Sequence, residues 1–259
     1  MNLTNIIIED NEFLPFINTI NENLAMISDI GQRKKTNQDF GRVGIRKDGA
    51  IIMIVADGVS CSQSPSIASE KATNALYEIL DNSNSFDQEI INYAISMADI
   101  AVKAIPFNQH HRLDGPETTI VCALIKDGKA HIGWVGDSRA YKINENESIL
   151  LTEDDSWCNK MVKENRLTLE QAERSDKSHV ITQCLGLRDF VINIHTISVD
   201  MDTNDALLLC SDGLWNMIDL KKNNWKNSAE IEAWLMISEA NRAGGRDNIT
   251  IAINRPSLK

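Results

Sequence analysis

Apolar positions along this chain fall into two rhythms. Ala50 to Ala56 is an unbroken apolar run rich in β-branched residues, which predicts a strand covered on both faces. Strand character begins at Leu24 and returns in Phe190 to Val199, Ala206 to Ser211 and Asn248 to Ile253. Ser66 to Leu80 and Gln88 to Ile105 instead carry apolar residues three and four apart. They predict two helices joined by the polar connection Asp81 to Asp87, and a further helix is expected at Ser228 to Asn241. Thr118 to Ile125 and Ala130 to Val135 flank Asp127-Gly128 and read as a hairpin; Ala140 to Ile143 with Ser148 to Leu151 gives a second.

Two stretches depart from these rhythms. Residues 1–22 read as a polar N-terminal extension with small apolar clusters at Ile6 to Ile8 and Phe13 to Ile17, ahead of one domain over residues 23–255. Thr152 to Gly186 is polar and mixed in pattern, with two short helical stretches, as expected of a flap inserted over one end of a sheet. Strands interrupted by helix pairs, with hairpins in place of regular βα alternation, predict a largely antiparallel α/β sandwich.

Composition narrows the function classes. The 259 residues are 42% apolar, enough to bury a core without disulfides or a structural metal. Lys and Arg total 26 against 37 Asp and Glu, a net charge of −11. Such a surface repels nucleic-acid phosphates and anionic lipid, so neither nucleic acid nor membrane is the expected partner. Five widely spaced cysteines with no C-x-x-C pair indicate neither a disulfide framework nor a zinc knuckle. No apolar run approaches the ~20 residues of a membrane helix, and the acidic start is no export signal. A cytoplasmic setting is expected.

The acids are placed informatively. Asp57, Asp137 and Asp212 each follow an apolar strand and precede a small or polar turn residue; Asp247 opens a strand, and Asp39 lies just past the first one. Asp-Gly pairs are common in turns, and Lys47-Asp48-Gly49 and Lys126-Asp127-Gly128 are read as plain turns. At Asp57 and Asp212, however, apolar sequence runs almost to the acid and no Lys or Arg lies nearby. A partly buried carboxylate without such a partner needs a cation, and a shared divalent metal supplies one. All-oxygen ligation selects Mg²⁺ or Mn²⁺, whereas His110, His111, His131, His179 and His195 lack zinc-ligand spacing. Two such cations, about 3.5–4 Å apart, bind both a water and a phosphoryl oxygen. The cysteine-nucleophile phosphatase loop, the nucleotide-binding G-x-x-x-x-G-K-[ST], H-E-x-x-H and G-x-S-x-G are all missing. Gly244-Gly245 is read as letting the turn before Asp247 approach the metals.

With these residues in hand, the sequence resembles the metal-dependent protein phosphatases of type 2C in their compact bacterial form, from about Leu24 to Ile253. The motifs are Ser28-Asp-Ile-Gly31 leading to Asn37-Gln38-Asp39, Val55-Ala-Asp57-Gly58, Glu117-Thr118-Thr119, Trp134 to Arg139, Leu207 to Gly213 and Gly245-Arg-Asp247-Asn248. The resemblance implies two mostly antiparallel sheets packed face to face, flanked by helix pairs. It implies hydrolysis of phosphoserine and phosphothreonine on proteins by a water bridging two Mn²⁺ or Mg²⁺ ions. By position, Asp57 bridges the cations with the Gly58 carbonyl on the first; Asp212 and Asp247 hold the second, and Asp39 acts through water. Asp137 with Asp212 matches a third, weaker position. Asp57, Asp212 and Asp247 are thus the catalytic acids, and Arg33 or Lys34 binds phosphate.

The chain also departs from the family pattern. Val59 stands where some members carry a His, Gln38 where many have Glu, Lys34 at the phosphate-binding Arg, and Glu117 at a Gly. The implied partners are a phosphorylated protein substrate and an opposing Ser/Thr kinase, with the phosphatase a monomer. The rival readings are a phosphatase-like binding module without turnover and a hydrolase of a small phosphorylated metabolite.

Overall fold

The structure is a computed structural model and describes residues 15–108, 115–144, 146–220 and 227–255. Eleven strands form two antiparallel sheets among these residues. In chain order they are β1 (Phe16–Asn21), β2 (Leu24–Asp29), β3 (Asp39–Ile45), β4 (Ile51–Asp57), β5 (Ile120–Lys126), β6 (Lys129–Val135), β7 (Arg139–Ile143), β8 (Ser148–Leu150), β9 (His195–Asp200), β10 (Ala206–Cys210) and β11 (Ile249–Asn254). One sheet runs β1-β2-β11-β10-β7-β8 and the other β3-β4-β5-β6-β9. The two-sheet sandwich with flanking helices expected from the sequence is therefore the observed fold.

Each layer follows from its side-chain pattern. Helix α1 (Pro65–Asn82) starts with Pro at its first position and buries Ala68, Ala72, Leu76 and Leu80, a stripe at four-residue spacing. Helix α2 (Gln88–Lys103) is capped by Asp87, whose side chain accepts from the Ile90 N–H at 2.8 Å, and buries Ile91, Ala94, Ile95, Ala98 and Val102. Both helices cover β3–β6 and share a core with Ile52, Ile54, Ile120, Cys122 and Leu124. On the opposite side α6 (Ala229–Arg242) covers Ile27, Leu208, Ile251 and Ile253. The alternate side chains of the central strands, among them Met26, Met53, Val55, Val121, Leu207, Leu209 and Ala252, meet between the sheets. A Cβ on Gly41 would lie 2.9 Å from the Met26 side chain, so that glycine lets the sheets approach.

The remaining elements are α3 (Trp157–Lys163) and α4 (Leu169–Glu173), the two short helices expected within residues 152–186, and α5 (Asp212–Trp215). Three expectations need correction. β1 lies inside the expected 1–22 extension yet pairs with β2 from Phe16↔Ser28 to Asn21↔Leu24, so those residues belong to the sheet. β9 begins at His195, not Phe190: the main chain of Asn193 bonds the Gln183 side chain in both directions, and Phe190 and Val191 face solvent. Asp39 is the first residue of β3, directly opposite Asp57, and does not trail the preceding strand. His110 and His111 lie outside the described residues.

Candidate active site

Antiparallel pairing decides which acids meet. Asp57 ends β4, Asp39 opens β3 as its register partner, and Asp137 follows β6. In the facing sheet Asp212 follows β10 and Asp247 precedes β11. All five therefore gather where the same rims of both sheets adjoin. Asp48 and Asp127 occupy the opposite rim. Asp127 and Gly128 adopt positive φ (49° and 72°), and Asp48 pairs with Arg46 and Lys126, so both are turn residues as expected.

The electrostatics record this convergence. Burial, followed by the charges of Asp39, Asp212, Asp137 and Asp247, pushes the Asp57 carboxyl well above the ordinary carboxylate range. Burial raises Asp39 to about 7 against hydrogen bonds from Ser211 and Thr250, with Asp212 and Asp247 adding repulsion. Asp212 rises to about 6 through burial and Asp247, opposed by a hydrogen bond with Asp57 and the charges of Lys34 and His179. Burial, with Asp212 and Asp154, likewise raises Asp137. The thiols of Cys122, Cys184 and Cys210 are pushed up by burial, which leaves them poor nucleophiles.

A hydrogen-bonded frame holds the rim. Ser211 Oγ donates to Asp39 Oδ2 at 2.7 Å and accepts from the Thr250 N–H, joining the two sheets below the acids. Thr119 Oγ1 accepts from the Asp57 N–H at 3.0 Å and contacts Ser138 Oγ at 2.8 Å. Asn248 accepts from the Gln38 N–H and donates to the Ile30 and Thr36 carbonyls, fixing the loop that carries Arg33 and Lys34. Gly31 packs against Asp247: its φ is 77°, and a Cβ would meet the Asp247 carbonyl oxygen at 2.2 Å. Gly244 and Gly245 also have positive φ, and Gly245 accepts from the Gln32 N–H, which brings the turn before Asp247 against the same loop.

The two candidate phosphate binders separate. Lys34 Nζ lies 2.7 Å from Asp247 Oδ1 and donates to Ser60 Oγ at 2.9 Å, while Ser60 donates to Gln38 Oε1 at 2.6 Å. Arg33 is exposed. Gln38, one of the departures from the family pattern, and Ser60 thus form the cradle of Lys34. Glu117 is buried, its carbonyl accepting from the Val59 N–H. His131 and His195 serve locally: His131 contacts Ser198, and His195 contacts Asp155 while stacking on Trp134.

Among the described residues, no three His, Cys, Asp or Glu side chains stand together as a group that could hold a metal ion. Asp57 and Asp212 lie close enough to perturb one another, and Asp247 pairs with Lys34. Yet Asp39 Oδ1 and Asp212 Oδ1 are buried without a hydrogen-bond partner. Orphaned carboxylate oxygens in an all-oxygen cluster fit a hard divalent cation. The framing residues Ser211, Thr119, Ser138 and Asn248 fall inside the motifs quoted above, but small polar residues are ordinary in turns, so the sequence alone gives them no individual role.

Residues 31–244 match the family model described as protein phosphatase 2C. The chain belongs to the protein phosphatase 2C family, the metal-dependent Ser/Thr protein phosphatases. It is 32% identical over 241 residues to the serine/threonine phosphatase stp of Listeria welshimeri, covering 89% of this chain and 94% of that protein. Its fold is similar to that of the serine/threonine phosphatase of S. agalactiae, with a TM-score of 0.79 and 26% identity over 93% of this chain and all of that one. It is also similar to the catalytic domain of the serine/threonine protein phosphatase PstP, solved in complex with two manganese ions. There the TM-score is 0.71 at 24% identity, over 90% of this chain and 98% of that one.

Proposed function

We propose that this chain removes phosphate from phosphoserine and phosphothreonine side chains of proteins, using Mn²⁺ or Mg²⁺ held at the strand-end acids. Asp57 with the Gly58 carbonyl, Asp212 and Asp247 would hold two such cations, with Asp39 reaching them through water, and Asp137 with Asp212 would hold a third. The observation that carries this reading is the pair of buried, partnerless oxygens on Asp39 and Asp212 inside a cluster of mutually repelling carboxylates. When bound, such cations lower the pKa of water and offset charge on the transferred phosphoryl group.

The protein's own groups do the rest. Lys34 Nζ, tethered by Ser60 beside Asp247, presents an ammonium to the phosphate; as a point charge it positions without the bidentate grip of a guanidinium. Val59 has no proton to give, so the leaving alkoxide takes its proton from solvent. Ser211 and Thr119 hold Asp39 and Asp57 in place, which limits the reorganisation needed when charge develops.

The direct test is phosphate release from a phosphothreonine peptide and from an aryl phosphate, with Mn²⁺ and with a chelator. Release from both that requires Mn²⁺ is expected. Equal rates in chelator would remove the metal reading. Mn²⁺ binding without turnover would instead make the chain a phosphoprotein-binding module.

A further inference from the structure

Residue 155 lies outside every acidic motif considered above, yet its carboxylate occupies a junction. Asp155 opens the flap segment and its side chain is 13% exposed. Its Oδ2 accepts from the Gly136 N–H at 2.9 Å, and its own N–H donates to the Gly136 carbonyl at 2.9 Å. Its carbonyl accepts from the Thr182 N–H at 2.6 Å, at the other foot of the flap. Its Oδ1 lies 2.9 Å from His195 Nε2. The imidazole is held flat on Trp134, ring centroids 5.1 Å apart, and the Trp134 indole N–H donates to the Glu153 carbonyl at 2.9 Å.

Gly136 admits no side chain. Its φ is 104°, and a Cβ there would meet Thr119 Cβ at 2.7 Å. The next residue is Asp137, and the one after it, Ser138, bonds Thr119, which holds the Asp57 N–H. Hydrogen bonds, joined by the backbone of residues 136–138, therefore lead from the flap through Asp155 to the turn of Asp137 and on to Asp57.

We infer that Asp155 is a positioning residue: it locks both feet of the flap to the Gly136 turn and so sets the Asp137 carboxylate for a cation. This rests on the metal assignment proposed above, with Asp137 in the third position. The partners of metal ligands characteristically change metal affinity by roughly 10–100-fold when removed. The lock explains why an acid with no ligand role is buried beside a glycine amide, with a histidine aimed at its second oxygen.

The test uses the full chain with Asp155→Ala, Asp155→Asn and His195→Gln. In chelator, hydrogen exchange of the amides around Gly136 is expected to accelerate in Asp155→Ala. It should return towards wild type in Asp155→Asn, which keeps an acceptor for that amide. In Mn²⁺ titrations followed by calorimetry, Asp155→Ala is expected to weaken the weakest binding step about tenfold, with Asp155→Asn recovering most of it. Hydrolysis of an aryl phosphate should then need more Mn²⁺ for half-maximal rate, while kcat at saturating Mn²⁺ stays within about twofold, because affinity and not chemistry is altered. If Asp155→Ala does not fold, His195→Gln serves in its place, with a shift in the same direction.

Unchanged exchange at Gly136, or an unchanged Mn²⁺ isotherm in a variant whose exchange has accelerated, would overturn the inference. If the wild-type chain bound no Mn²⁺, the metal assignment itself would fall, whatever the exchange data showed.

Discussion

At the scale of single residues, the site is a contest between burial and repulsion. Asp39 and Asp212 are raised to about 7 and about 6, so the folded chain holds protons that the unfolded chain, titrating near 3.8, has released. A carboxyl raised on folding contributes stability that is present below its unfolded value and lost as pH rises through its folded value. In chelator the melting temperature is therefore expected to fall between about pH 4 and pH 7, and Mn²⁺ should abolish that fall by taking the protons' place. A flat or rising profile in chelator would contradict the burial of these acids. Lys34 gives a second residue-scale prediction. Lys34→Ala should raise KM for an aryl phosphate by about tenfold or more, the loss of one charge-assisted contact, whereas Arg33→Ala should leave KM within about twofold. The reverse ranking in steady-state kinetics would transfer the phosphate role to Arg33.

At the scale of elements, what could be read in the sequence depended on how strongly each segment was buried. β4 has its central residues fully buried, and α1 and α2 each lay an unbroken stripe on the sheet, so their patterns were legible to within a few residues. β1 was not, because its residues are almost all exposed and mix Asn and Thr with apolar side chains. Phe190 to Ile194 has strand composition, yet Ile192 and Ile194 pack on the helical core while their neighbours face water; burial without a partner strand imitated β periodicity. α5 is four residues long, too short for any period to register. Its glycine is nonetheless tightly placed, since a Cβ on Gly213 would lie 2.0 Å from the Asn248 carbonyl oxygen. Gly213→Ala should cost about 3 kcal/mol in denaturant unfolding, by overpacking against backbone that cannot yield. Gly49→Ala, with φ 85° but open space around it, should cost only the left-handed backbone penalty of about 1–2 kcal/mol. Equal costs would show that the α5 start is looser than its geometry.

At the scale of the whole molecule, the acids were legible as strand-end residues, but their meeting was not. Nothing local to Asp39 or Asp247 states that β11 lies beside β2, or that Ser211 ties one sheet to the other; those are properties of topology. Asp155 is illegible in the sequence for the same reason, since its partners Gly136 and His195 follow β6 and open β9, distant in sequence. The global arrangement predicts a clean separation of fold from chemistry. Asp57→Asn and Asp212→Asn should each abolish turnover while melting, in chelator, at or above the wild-type temperature, because each replaces a buried carboxyl that is costly to ionise with a neutral amide. Retained turnover in either variant, or collapse of the fold, would refute that separation.

The central position of β11 sets the order of events at birth. It is the C-terminal strand of the fold, inserted between β2 and β10, and it delivers Asp247 and Asn248 to a rim begun by Asp39. A ribosome-bound chain that has not yet released this strand has neither its innermost seam nor its full set of acids. On the proposed metal assignment such half-made copies are chemically silent until β2 and β11 lie side by side.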